Sequence, residues 1–191
     1  ITVTYSDGTS LVVPARQMKI EGVESTACNY IYPVDNTEPD LRERLVMKNI
    51  ALGKACTASS EENAGTLKQN ATDGDLNTRW GSEHNDGEWI QIDLGEKTSV
   101  YKVKVKWEAA CASEYRIELR DTENGEATYR KTGNGQPNAW TEMKLDDQSG
   151  RYVRLVGVKR ATAYGTSLYE IEVYGRPDSA AGSDLMGVEI S

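Results

Sequence analysis

Phenylalanine is missing from this 191-residue chain, and histidine occurs once. Its aromatic content is therefore 10 tyrosines and 4 tryptophans, side chains that carry a polar atom and suit wet surfaces. No stretch approaches the roughly 18 apolar residues of a membrane-spanning helix, which excludes membrane insertion of that kind. There is no basic excess either: the net charge is −8 and the pI near 4.8. Nucleic acid and anionic membrane would be repelled at long range, so neutral or cationic ligands remain. Cys28, Cys56 and Cys111 are an odd set without metal-ligand spacing, which supports neither a disulfide framework nor a zinc site. One pair, or three buried thiols, both stay open. No Ser or Cys stands in a nucleophile context, so the lone His84 has nothing to activate.

A chain of this length buries one good core. It opens Ile1-Thr-Val-Thr, with no basic start and no apolar run, which points to a piece of a longer protein. Residues 1–14 alternate apolar and polar on both sides of Ser6-Asp-Gly8 and read as a β-hairpin. Residues 15–48 are mixed, with Pro33, Pro39 and a charged run, and read as a connector with a short helix over 40–47. Residues 1–48 are thus expected to be the tail of a preceding β-rich module or an ordered linker. The centre is β by period: Val100-Tyr-Lys-Val-Lys-Val-Lys-Trp107 alternates strictly, 115–119 and 152–158 less cleanly, and Gly, Asn and Asp fill the gaps. Several short strands with such turns predict an all-β sandwich or jelly roll. The segment 132–137 reads as a loop, and 176–191 as a linker with a strand-like stretch at 185–190. No internal repeat is present.

Four separated motifs stand out. They are Asn49-Ile-Ala-Leu-Gly-Lys54 with Ala58-Ser-Ser60; the turn Asp73-Gly-Asp75…Thr78-Arg-Trp80; Trp107-Glu108-Ala-Ala followed by Tyr115; and Arg151-Tyr-Val-Arg-Leu155 with Tyr164-Gly-Thr-Ser-Leu-Tyr-Glu170-Ile-Glu-Val-Tyr174-Gly175. In the second, oxygen donors at 73, 75 and 78 straddle Gly74, a set of hard ligands on one bend that suits Ca²⁺. The bland reading of that bend is an Asp-Gly turn satisfied by its own backbone.

In this order the motifs resemble the discoidin, or coagulation factor 5/8 type C, family, and within it the family 32 carbohydrate-binding modules, over 49–175. The resemblance implies a discoidin-like, galactose-binding-domain-like β-sandwich. It also implies a calcium ion held by the Asp73 carboxylate, Thr78, the carbonyls of Asn70 and Asp75, and, from the far end of the domain, Glu170 with the Tyr169 carbonyl. Many animal members tie their ends with a disulfide; no cysteine lies near Asn49 or Gly175, which favours the bacterial branch.

Family members bind sugar on loops at one end, where an aromatic face stacks on pyranose C–H groups and polar side chains take the hydroxyls. The matching loops are 59–66, 81–87, 108–114 and 160–166. They hold Glu61, Glu62, Glu83, Asp86, Glu108 and Glu114, a set suited to ammonium groups; the bland reading is a solvated acidic surface. Ser59-Ser60…Glu62…Ala64-Gly65 and Ala161-Thr-Ala-Tyr164-Gly…Ser167-Leu168 resemble motifs of modules that accompany chitosanases. Glu62 and Tyr164 lead the sugar-site candidates, with Glu83, His84 and Glu108 behind them. Two positions depart from the family: Gly81 stands where galactose binders often have His, and Thr166 where chitosan-type relatives often have an aromatic. Trp80, Trp89 and Trp140 are expected in the core, while Trp107 is balanced between core and rim.

The expectation is a non-catalytic, calcium-stabilised, monomeric binding module in a secreted or cell-surface bacterial protein. It would hold the catalytic domain of a parent carbohydrate-active enzyme near its glycan, of galactose/GalNAc or glucosamine type. No groove of the depth a glycosidase needs is legible. An adhesion module or a structural spacer are the other classes.

Overall fold

The computed structural model describes residues 2–4, 10–12, 18–20, 31–33 and 49–177. The chain divides into two compact units, Ile1–Leu45 with Ala180–Ser191, and Val46–Ser179. In the first, β1 (Thr2–Thr4) pairs antiparallel with β2 (Ser10–Val12), the expected hairpin, and β3 (Met18–Ile20) pairs with β4 (Ile31–Pro33). The expected helix at 40–47 and the strand at 185–190 lie outside the described residues.

The second unit is built from β5 (Cys56–Ala58), a 3-10 turn (Lys68–Ala71), β6 (Trp80–Gly81), β7 (Trp89–Trp107), β8 (Ala112–Arg120), β9 (Ala127–Gly133), β10 (Trp140–Arg160) and β11 (Ser167–Pro177). The strands form one antiparallel seven-stranded array in the order β6-β11-β7-β10-β8-β9, with β5 added on β7. Two strands are too long to stay in one layer. The first part of β7 (89–93) pairs with β5 and the end of β10, whereas its second part (98–107) pairs with β11 and the start of β10. The array thereby folds over on itself into the expected discoidin-like sandwich.

The corner has a chemical cause. Between the pairs Tyr152↔Asp93 and Gly150↔Thr98 the register slips, setting residues 94–97 against Arg151 alone. Gly95 takes φ 94 there, a left-handed conformation that glycine adopts at no steric cost. Arg151 then clamps the bend by donating Nε and Nη2 to the two Asp93 oxygens, both at 2.8 Å. This fork holds the Asp93 carboxyl below the usual carboxylate range.

Period-two alternation fills the space between the layers. Ile90, Ile92 and Leu94, then Val103, Val105 and Trp107, project inward from β7 to meet Ile117, Leu119, Val153, Leu155, Ile171 and Val173. Each fully buried aliphatic side chain of this kind contributes about 1.5–3 kcal/mol. Cys56 and Cys111 are buried free thiols, and burial raises the pKa of both; Cys28 lies outside the described residues.

The tryptophans part company with expectation. Trp80 and Trp107 are fully buried, but Trp140 is 37 % exposed. It lies under Lys104 Nζ, which stands 4.5 Å from its ring centroid. Trp89 is half-buried, with the Arg154 guanidinium stacked 3.9 Å over its ring. Parity explains both: Met143 and Leu145 turn inward on β10, so Trp140 must turn outward, and Ile90 and Ile92 do the same to Trp89.

Candidate functional site

Four connections meet at one end of the sandwich: 59–67, 82–88, 108–111 and 161–166. Backbone hydrogen bonds stitch them together, including Glu62 N to Gly81 O at 2.8 Å, Ser82 N to Thr166 O at 3.0 Å and Ser167 N to Ala110 O at 2.8 Å. Gly165 packs so closely on the Ser82 and Glu83 carbonyls that a Cβ there would collide with both. That approach sets Tyr164 beside the 82–88 loop.

Three of the five sugar-site candidates come together. The Glu62 carboxylate lies 3.4 Å from His84 Nε2, and the His84 ring meets Tyr164 edge-on, with centroids 5.7 Å apart and planes at 90°. Tyr164 is 64 % exposed, an open aromatic face beside a carboxylate. The other two stand apart. Glu108 accepts the Ala110 amide at 2.8 Å and caps its own turn, and Glu83 enters through its backbone amide, which donates to Ser60 Oγ at 2.9 Å.

Most acids on this rim are committed to local partners. Glu61 takes the amide and ammonium of Lys68, which lower its pKa. Asp86 takes the amide and Nε of Arg160, which do the same. Burial raises the Glu88 carboxyl, but hydrogen bonds from Ser59, Ser60 and Asn85 outweigh it and leave the net shift downward. Glu62 differs, because its contacts, His84 at 3.4 Å and Arg79 Nη2 at 3.5 Å, sit at the outer limit of a hydrogen bond. Its oxygens keep most of their capacity for a ligand.

Arg79 escaped the sequence reading. Its Nη1 donates to Ser167 Oγ at 2.8 Å, which fixes the guanidinium between that strand and Glu62. The signal was present: Trp80 points into the core, so its neighbour in an extended chain points out to the rim.

The loop from Asn70 to Thr78 forms a second constellation. Asp73 accepts the Asp75 amide at 2.8 Å and the Thr78 hydroxyl at 2.7 Å, and the Asp75 carbonyl accepts the same hydroxyl at 2.9 Å. The Asp75 carboxylate turns away to the backbone and side-chain amides of Asn77, which lower its pKa, leaving its carbonyl on the loop side. Gly74 turns the bend at φ 78 and donates its amide to Glu170 Oε2 at 3.1 Å, across 96 residues of sequence. Asn70 occupies the 3-10 turn, its side-chain amide donating to the Arg79 carbonyl at 3.1 Å; Tyr169 precedes Glu170 on β11.

Glu170 is the anomaly. It is only 2 % exposed, its Oε1 is buried without a hydrogen-bond partner, and among the described residues no cation pairs with it. Burial, with the Asp73 and Glu172 charges added, pushes its pKa up to about 7 against the pull of the Gly74 amide. An orphaned carboxylate oxygen on the strand that the loop closes upon, with a second carboxylate, a hydroxyl and a carbonyl gathered on that loop, is a setting that suits a hard cation. Among the described residues no cluster of three or more His, Cys, Asp and Glu side chains is present, so a cation here would draw on two carboxylates filled out by hydroxyl and carbonyl oxygens. That composition fits calcium and does not fit zinc.

The F5/8 type C domain matches residues 55–171, well over half of the chain. The chain belongs to the F5/8 type C family. Similar solved structures are carbohydrate-binding proteins. Chitosan-binding module 1, derived from a chitosanase/glucanase of Paenibacillus sp. IK-5, is 41 % identical at a TM-score of 0.60, over 67 % of this chain and 99 % of that one. Module 2 of the same enzyme, solved with chitotriose, is 38 % identical at 0.61, over 66 % of this chain and 100 % of that one. The lectin domain of Lectinolysin, solved with Lewis b, is 26 % identical at 0.58, over 66 % of this chain and 95 % of that one. Among curated proteins there is no match.

Proposed function

We propose that the F5/8 type C unit is a non-catalytic carbohydrate-binding module of the family 32 type whose ligand carries glucosamine. One observation carries this reading: Glu62, a rim carboxylate held only by contacts of 3.4 and 3.5 Å, is joined through His84 to the exposed ring of Tyr164. The Tyr164 ring offers a face to the C–H groups of a pyranose, and Glu62 accepts from its amino group or hydroxyls, assisted by the donors of Arg79 and His84. A galactose or GalNAc ligand is the weaker case, because it brings no positive charge for Glu62 to bind. The Paenibacillus modules support the amino-sugar reading by their own binding of chitosan at about two-fifths identity.

Calcium would be held by Asp73, Thr78, Glu170 and the carbonyls of Asn70, Asp75 and Tyr169, supplying the positive charge that the Glu170 pocket lacks. Its effect is to join the 70–78 loop to β11, behind the rim and not within it. The unit acts through effective concentration: weak, one-site binding keeps a secreted or cell-surface bacterial parent enzyme near its polymer. Residues 49–175 are the binding module, 1–48 the tail of a preceding module or an ordered linker, and 176–191 a linker onward. It works as a monomer.

Isothermal titration with glucosamine trimer, galactose and N-acetylgalactosamine, with calcium present, tests the proposal. The trimer is expected to bind in the micromolar to millimolar range and galactose more weakly. A folded protein that binds none of the three would leave the adhesion or spacer roles in its place.

A further inference from the structure

The rim holds a titratable group on the one carboxylate that the ligand is proposed to use. His84 Nε2 stands 3.4 Å from Glu62 Oε1, and the two side chains are 49 % and 29 % exposed. Histidine is the side chain whose charge ordinarily changes between pH 5 and 8. An imidazolium here would face Glu62 from the 82–88 loop while Arg79 faces it from the strand side at 3.5 Å. Tyr164 closes the third side by an edge contact. On its own loop His84 is flanked by Glu83, by Asp86, whose carboxylate Arg160 holds, and by Glu88, held by Ser59, Ser60 and Asn85. Glu62 is thus the carboxylate in contact with the ring.

We propose that His84 is a specificity-determining residue that sets the ligand charge the rim accepts: protonated, it occupies Glu62 and repels a cationic amino sugar; neutral, it leaves Glu62 to the sugar's amino group. This rests on the amino-sugar reading of the rim. A second positive charge about 4 Å from the ligand ammonium, at the partly screened surface of a protein, lowers affinity by about tenfold.

The test titrates glucosamine trimer into the wild-type chain and into His84→Gln and His84→Tyr, at pH 8.0 and pH 5.5, in millimolar calcium. The sugar's own titration is common to all three proteins and cancels in the ratio of variant to wild-type association constants. That ratio is expected to rise about tenfold from pH 8.0 to pH 5.5, equally for both variants, whatever the absolute affinities. A ratio that stays within twofold, with the trimer bound by all three, overturns the role of His84 and leaves the amino-sugar reading standing. No binding of the trimer by the folded wild-type protein at either pH overturns both.

Discussion

The two ends of the Glu62–Glu170 pair of constellations differ in every physical respect. The 70–78 loop is closed on β11 through a carboxylate at 2 % exposure with an orphaned oxygen, whereas the rim is open, its tyrosine 64 % exposed and its carboxylate contacts 3.4–3.5 Å long. A buried charge without a partner is costly and holds structure hostage to whatever neutralises it. A half-exposed charge with weak partners costs little and stays available. The first arrangement suits stability and the second recognition, so perturbations should divide cleanly between them.

The largest effect is expected from Asp73→Ala. With a cation bound at about a hundred times its Kd, a site contributes about 2.7 kcal/mol, so the variant should lose a calcium-dependent rise in Tm on the order of 10 °C in differential scanning calorimetry. Glucosamine-trimer affinity, measured below that Tm, should stay within threefold.

The next effect is a pH dependence in chelator. Glu170 has a folded-state pKa raised from 4.5 to about 7, so the folded protein holds that proton more tightly than the unfolded chain. Stability is therefore greatest below about pH 4.5 as far as this group is concerned, and falls as pH rises to about 7, by about 3 kcal/mol. Chemical denaturation at pH 5 and pH 8 measures it. Glu170→Gln should remove the fall, and an unchanged slope in that variant would contradict the assignment.

Glu62→Ala comes third. Removal of a charge-assisted hydrogen bond to the sugar should weaken the trimer by about thirtyfold, with Tm shifted by no more than a degree or two. Tyr164→Ala is the smallest, about tenfold from loss of stacking, again at constant Tm. If Asp73→Ala removed binding and Glu62→Ala lowered Tm, the two sites would have been exchanged.

The same contrast governs what the sequence revealed. The strands were legible because alternation is a local signal: β7 places Val103, Val105 and Trp107 inward as its pattern requires. Applied consistently, that parity also places Trp89 and Trp140 outside, where hydrophobicity alone had put them in the core. The Asp73-Gly-Asp75 bend was legible as a set of oxygens, but Glu170 is 96 residues away from Gly74 and only the family resemblance pointed to it. At the rim, the sequence named Glu62, His84 and Tyr164 among many acids. The resemblance put Glu62 and Tyr164 first, but nothing local separated His84 from Glu83 and Glu108, because commitment to local partners, such as Glu108 to Ala110 and Asp86 to Arg160, depends on how four loops meet in space.

One measurement addresses the division most directly: melting temperature and glucosamine-trimer affinity of the wild-type chain at pH 7.5, each in chelator and in millimolar calcium. The account predicts that calcium raises the melting temperature and leaves the association constant, taken well below both transitions, within threefold. A melting temperature indifferent to calcium would contradict it.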